Sequence, residues 1–414
     1  MSIPRNPSLL EASLRWAILG LLIILPLFES PKNLLFGGAF LLWILITLKD
    51  TSPTPYPAGT AWIFGGYIAA TILASLFASI QSNAWHGTWD TFRFLGMYFL
   101  VQRIASQGSM GIVFWGPIFG TTVALGHGLI ASAAPQTNLQ LRSVGHTNHS
   151  AIYLLLSFGM ALAVALGGRV MKWRIMASVV ACFLFEGILR TSSRGAVGVA
   201  LILPLIMGAS LDGFRTRRFF ISVCASMILG GYTFSTKQAA VIETVELYQS
   251  HNNLSNRDRL WRVSFEIFRQ HPFVGIGPNN FATAANETHL QQWLASQGRS
   301  YHPENYYYSS HAHSLYFNTL AERGILGAAA LIALLVWLLF WLIRIQPARG
   351  ANGEAVVVWI AAVAALCITV LIGMINTTLH HEHGMLTLAL LGMAINSNTT
   401  SVRPPLPAPP CNQA

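Results

Sequence analysis

The chain has 414 residues, of which 53% are hydrophobic and only 10% charged, with a formal net charge of +10. Soluble domains carry about a quarter charged residues, so this composition excludes an ordinary water-soluble fold and predicts an all-α membrane protein. The positive charge needs no nucleic acid to explain it, because Lys and Arg collect in the cytoplasmic loops of membrane proteins.

A hydrocarbon core is ~30 Å thick, so a helical span takes ~20 mostly apolar residues. In chain order, about twelve transmembrane helices are predicted, near 14–28, 33–48, 60–80, 89–105, 110–133, 151–167, 173–189, 195–211, 218–236, 314–344, 354–375 and 384–397. The first run is followed at once by another and reads as a retained span, not a cleaved signal. The predicted organisation is helices 1–9 over 1–236, one large and partly helical loop over 237–313, helices 10–12 over 314–397, and a Pro-rich tail over 398–414.

The basic residues choose the side. One set of connections holds Arg103, Arg169, Lys172, Arg174, Arg215, Arg217, Arg218, Arg344 and Arg349; the short connections of the other set hold only Lys32, Arg142, Arg190 and Arg194. The positive-inside rule then places both termini in the cytoplasm and the large loop in the periplasm. Cys182, Cys224, Cys367 and Cys411 have no metal-ligand spacing, and the large loop has no cysteine for a disulfide framework.

Several residues exceed what a membrane scaffold needs. Arg194 lies in RTSSRGAVG, on the side where arginine is scarce and at the start of a span. A helix N-terminus with an added guanidinium suits an anion. Arg142 lies on the same side in LRSVGHTNHSAIY, flanked by His146 and His149. In the large loop a helix is expected from about Ser255 to Gln270, ended by Pro272. Its Trp261, Phe265 and Phe268 form a packing stripe, and Arg257 and Arg259 fall in its first turn. Cations are unfavourable there unless an anion visits. His313 ends the loop just before a run that is too long for a bilayer and must tilt or project. Glu322, nine residues on, falls on the opposite helix face and is expected to be structural. His311 with His313, and the His380–His383 HHEH run, make a metal the obvious rival. The chain has neither HExxH nor a DxD pair, so neither a metal nor any other cofactor is expected.

Together these segments resemble the O-antigen ligase and polymerase superfamily of bacterial inner membranes. His313 through Gly327 is similar to that family's signature, with Glu322, Gly324 and Gly327 in place. Arg257-x-x-x-Trp261 followed by His271-Pro272 and Gly275-x-Gly277, then Ser193-Arg194-Gly195, and more weakly Arg142 with Gly145, continue the likeness. The resemblance implies transfer of a glycan from undecaprenyl diphosphate to one of three acceptors: lipid A-core (ligases), another lipid-linked repeat (polymerases), or Ser/Thr of a protein (protein O-oligosaccharyltransferases). The short loop around 134–150 makes the chain most similar to the ligases. It also puts the family's histidine at His313 and not at His311.

The expected mechanism is metal-free. Arg142, Arg194 and Arg257, with Arg259 in reserve, hold the diphosphate through guanidinium–phosphate contacts, and His313 takes the proton of the acceptor hydroxyl. Direct displacement inverts the anomeric centre. A lipid-linked glycan transporter is the alternative of another class. It would carry its charges near the membrane midplane in symmetric halves, whereas the unusual charges here gather at one surface.

Overall fold

The computed structural model describes residues 8–49, 56–105, 111–131, 138–210, 255–348 and 353–397, and every regular element among them is a helix. The first eight are α1 (Leu9–Ile24), α2 (Glu29–Lys49), α3 (Thr60–Leu76), α4 (Gln81–Ala105), α5 (Gly111–Ala131), α6 (Thr147–Gly167), α7 (Met171–Arg190) and α8 (Arg194–Ala209). Then come α9 (Arg257–Gln270), α10 (Phe281–Ala284), α11 (Glu287–Ser296), a short 3-10 turn at Pro303–Asn305, α12 (Leu315–Arg344), α13 (Glu354–Gly373) and α14 (His381–Ser397). The span expected at 218–236 and the tail over 398–414 lie outside the described residues.

Five helices, α2, α5, α6, α12 and α13, are long and apolar enough to cross a membrane, and α3 and α8 are shorter apolar helices. The protein is therefore a multi-pass membrane protein. The other predicted spans fall on α1, α4, α7 and α14. Of these, α4 and α7 carry several charges, among them Asp90, Arg93, Lys172 and Glu186.

A helix that is apolar all round is buried on every side, and α6 is such a helix: Ser150 through Gly167 are all buried. It packs against α5, α7, α8, α13 and α14, while α1 and α2 pair with each other, α3 joins α4 and α12, and α14 lies along α4. Large apolar side chains such as Leu34, Trp62, Ile130, Val179 and Ile343 face outward, as a lipid-facing surface requires.

The segment from Ser255 to Ser314 forms a polar lobe with its own core of Leu260, Val263, Ile267, Phe281, Leu290 and Leu294. Arg299 donates two hydrogen bonds, at 2.8 and 2.7 Å, to buried Glu266. Burial would raise that carboxyl; the Arg299 contacts outweigh it and hold the group below its ordinary value. Trp261 stacks on Phe317 of α12 with ring centroids 5.2 Å apart, as a packing stripe should, whereas Phe265 is exposed.

The glycines of the two longest motifs meet. Ile276 and Gly277 donate backbone hydrogen bonds to the carbonyls of Ala321 and Glu322, and Ile325 and Leu326 donate back to Pro272 and Phe273. Gly275 and Gly324 both have positive φ, +68° and +61°. A Cβ on Gly275 would lie 2.3 Å from the Glu322 carbonyl carbon, and one on Gly324 would lie 2.4 Å from that of Phe273. Only glycine permits both the conformation and the approach.

Gly324 is also non-helical within α12 and breaks it. The residues after the break, 325–344, span ~30 Å as a helix, which matches a bilayer core. The excess length anticipated from the sequence is thus the first part of α12, bound to the lobe.

Candidate functional site

The two helix starts singled out by misplaced arginines come together. Arg194 is the first residue of α8, whose N-cap Ser193 makes no side-chain capping bond. Arg257 is the first residue of α9. Arg194 Nη2 donates to Ser255 Oγ at 2.9 Å, just before α9. Arg257 Nε donates to the Ile375 carbonyl at 3.0 Å, in the connection between α13 and α14. Burial, then the nearby positive charge of Arg194, lowers the pKa of Arg257. Two helix N-termini and two guanidiniums thus face one region, a field suited to an anion.

His313 borders this region. Its backbone is left-handed, with φ 46°, an uncommon conformation for a non-glycine residue that costs ~1–3 kcal/mol and tends to cluster at functional sites. Its Nε2 lies 3.5 Å from Ser309 Oγ, and its Nδ1 is buried with no hydrogen-bond partner. Burial, then Arg257 and His146, lower its pKa to about 4, opposed by the nearby Asn376 side chain. His311 is lowered to about 3 by burial, His313, His146 and His381. The rings of His311 and His313 are 4.1 Å apart.

The remaining sequence-predicted arginines are not in this contact set. Arg142 is exposed in the turn before α6 and makes no hydrogen bond or ion pair among the described residues. It does lie at the same end of the bundle: its neighbour Ser143 accepts from Lys32 at 3.0 Å, and Leu139 donates to the Arg190 carbonyl at the end of α7. Arg259 is half-buried. Two residues along a helix it lies ~200° around from Arg257, so the two cannot address one phosphate from the same face. No ion pair between Asp258 and an arginine forms among the described residues, and Asp258 Oδ1 is buried without a hydrogen-bond partner.

A cavity of about 340 Å³ opens beside this region. His311 lines it together with Asp90, His146, His149, Glu322 and Arg323; His313 is outside that lining. Glu322 is buried, its carboxylate accepts from the backbone of Asn279 and Phe281, and it pairs with Arg323 at 3.4 Å. These contacts tie the glycine turn to α12. Arg323, which sequence reasoning passed over, also donates to Thr91 at 3.2 Å. Near it an apolar groove of about 300 Å³ between α3 and α4 is lined by Ile68, Ile72, Trp85, Trp89 and Phe92, and it shares Thr91 with the cavity.

Further histidines crowd the cavity wall, where the ring of His149 lies 6.0 Å from that of His311. The ring of His149 lies 5.9 Å from His380, 6.1 Å from His381 and 5.2 Å from His383. Asp90, His380 and His381 bring potential ligand atoms within 4.8 Å of one another, so these residues could hold a cation. Behind them, Lys32 is buried and paired with both Glu29 and Glu382, joining α2 to α14. The scarcity of basic residues on this side was the available signal for Lys32. Its partner Glu382 is 350 residues away, which no local pattern reveals.

No curated protein matches the chain. Residues 177–332 match the family model described as O-antigen ligase. That stretch runs from α7 through the lobe into α12, and it contains Arg194, Arg257, Arg259, His313, Glu322 and both docked glycines. Across residues 177–332 the chain is thus similar to the O-antigen ligase family.

Proposed function

We propose that the protein is an O-antigen ligase. It transfers a glycan from undecaprenyl diphosphate to a sugar hydroxyl of lipid A-core, at the periplasmic face of the bacterial inner membrane. The observation that carries this reading is the convergence of Arg194 and Arg257, each at a helix start, beside the neutral His313.

In the reaction, His313 accepts the proton of the acceptor hydroxyl through a ring nitrogen. The hydroxyl oxygen forms a bond to the anomeric carbon from the face opposite the donor linkage. The bond from that carbon to the phosphate oxygen breaks, and the electron pair leaves on undecaprenyl diphosphate. Arg194 and Arg257 stabilise the charge that develops there, because bidentate guanidinium–phosphate contacts act on the leaving group as it forms. Arg142 and Arg259 supply further positive charge at the rim. The anomeric configuration inverts, and the chemistry asks for no metal or cofactor. The groove on Ile72, Trp89 and Phe92 is an apolar wall for the polyprenyl chain, next to the cavity that takes the sugars.

Other members of the superfamily suggest a polysaccharide polymerase or a protein O-oligosaccharyltransferase as the alternative, and a lipid-linked glycan transporter is a reading of another class. One experiment separates them. Purified protein is placed in liposomes with undecaprenyl diphosphate-linked glycan and lipid A-core, in excess chelator. Glycan on lipid A-core is the expected result. Extension of a second lipid-linked glycan, or glycan moved across the bilayer without transfer, would replace this reading.

A further inference from the structure

We infer that Asp90, His380 and His381 form a binding site for a borderline transition-metal dication of the zinc type, on the wall of the cavity.

The three residues come from two places in the chain, the first half of α4 and the junction leading into α14, and their ligand atoms lie within 4.8 Å of one another. Asp90 Oδ2 is 3.3 Å from His381 Nδ1. The other carboxylate oxygen, Oδ1, accepts from Arg93 Nη1 at 3.1 Å. That hydrogen bond orients the carboxylate and leaves Oδ2 turned toward the imidazoles, as an outer partner does for a metal-ligating carboxylate.

An ion pair between Asp90 and a protonated His381 is the simpler account of that contact, but it does not explain the surroundings. His380 Nδ1, His149 Nε2 and His383 Nδ1 are all buried with no hydrogen-bond partner. His383 is fully buried, and its Nε2 donates to the Thr377 carbonyl at 3.0 Å. That bond fixes the proton on Nε2, so Nδ1 is a bare lone pair. Buried polar atoms are nearly always satisfied, and several imidazole nitrogens lacking partners around one carboxylate form an uncommon group. A dication would give His380 a partner and put His149 in reach as a further donor; His383 is not among the ligands. Two imidazoles and one carboxylate make a three-ligand set with room for water or His149 in the fourth position. Imidazole donors favour zinc, cobalt or copper over magnesium, which prefers oxygen ligands. The ion would link α4 to the start of α14. The site is independent of the metal-free transfer proposed above, since neither His313 nor the arginines at α8 and α9 belong to it.

The test uses full-length protein purified without a histidine tag, stripped by chelator and titrated with cobalt(II). The expected result is one saturable ion per chain with visible absorption bands of low-coordinate cobalt, displaced by zinc and unaffected by excess magnesium. Asp90→Asn and His381→Gln should each abolish the bands, while His302→Gln, on the lobe surface, should keep them. X-ray absorption at the zinc edge of wild-type protein provides a reading that does not depend on variants folding, and imidazole and oxygen neighbours are expected. Absence of a saturable cobalt site in wild type, bands that survive in Asp90→Asn and His381→Gln, or a zinc spectrum without imidazole would each overturn the inference. Glycan transfer in chelator reports separately on the ligase reading.

Discussion

At the scale of single residues, His313 must be neutral to accept a proton, and the site keeps it so. Burial, the Arg257 guanidinium and His146 all disfavour its charged form, and the pKa falls from about 6.5 to about 4. The sign of the pH effect follows: above the lowered pKa the ring is a free base, and below it the ring is protonated and inactive. kcat/KM, which reports groups in the free enzyme, should therefore hold its plateau from neutrality to about pH 5 and fall through about pH 4. An acid limb centred near 6.5 would show that His313 lies in an ordinary solvated environment.

The arginines make a separate prediction. Lysine keeps the charge of arginine but loses the planar fork that grips two phosphate oxygens. Arg194→Lys and Arg257→Lys should each lose most transfer in a liposome assay while still inserting and folding. Near-normal transfer in both would return Arg194 to its contact with Ser255, and Arg257 to its contact with Ile375, as their whole purpose. Sidedness and a helix start singled out Arg194 in the sequence, and the first turn of a helix singled out Arg257 together with Arg259. Arg142 entered more weakly, on sidedness, and it is exposed without a contact to the other two.

At the scale of elements, long apolar runs made helix positions legible, because only a helix satisfies its backbone within a bilayer. The break in α12 was not legible. The apolar pattern runs on through Gly324, and its positive φ is imposed by a turn some fifty residues earlier in the chain. Glu322 was expected to be structural because nine residues from His313 would put it on the opposite helix face, but the two do not share a helix. His313 lies before α12 begins, and Glu322 is bound to the backbone of Asn279 and Phe281. A testable consequence concerns the glycine contact. Gly324→Ala places a side chain in a conformation that costs ~1–3 kcal/mol and drives its Cβ into the Phe273 backbone. The variant should show a lower Tm in detergent and faster proteolysis of the lobe around Arg257–Gly298. An unchanged Tm with an intact lobe would mean that the turn and α12 are not docked as described.

At the scale of the whole molecule, the unusual charges gather at one end of the bundle. Lys32, Asp90, Arg93, Arg194, Arg257 and the histidines at 311, 313, 380, 381 and 383 come from six different parts of the chain, and several of them are in direct contact there. Sequence sidedness predicted a common face; it could not show which residues touch, because the partners are separated by hundreds of positions. Topology is checked by reporter fusions at Gln249 and Ala408, which fall in the segments assigned to the periplasm and the cytoplasm. Opposite compartments are expected, and the same compartment for both would contradict the twelve-span arrangement.

The central claim is that His313 is the base, although His311 and not His313 lines the cavity. Single-turnover transfer by purified His313→Ala at saturating donor tests it most directly, alongside His311→Ala. A general base contributes ~10²–10⁴ in rate, so His313→Ala should fall by about that factor with donor binding intact, because Arg194 and Arg257 are untouched. His311→Ala should retain most of the wild-type rate. A His313→Ala rate within a few-fold of wild type, or the large loss appearing in His311→Ala instead, would contradict the account.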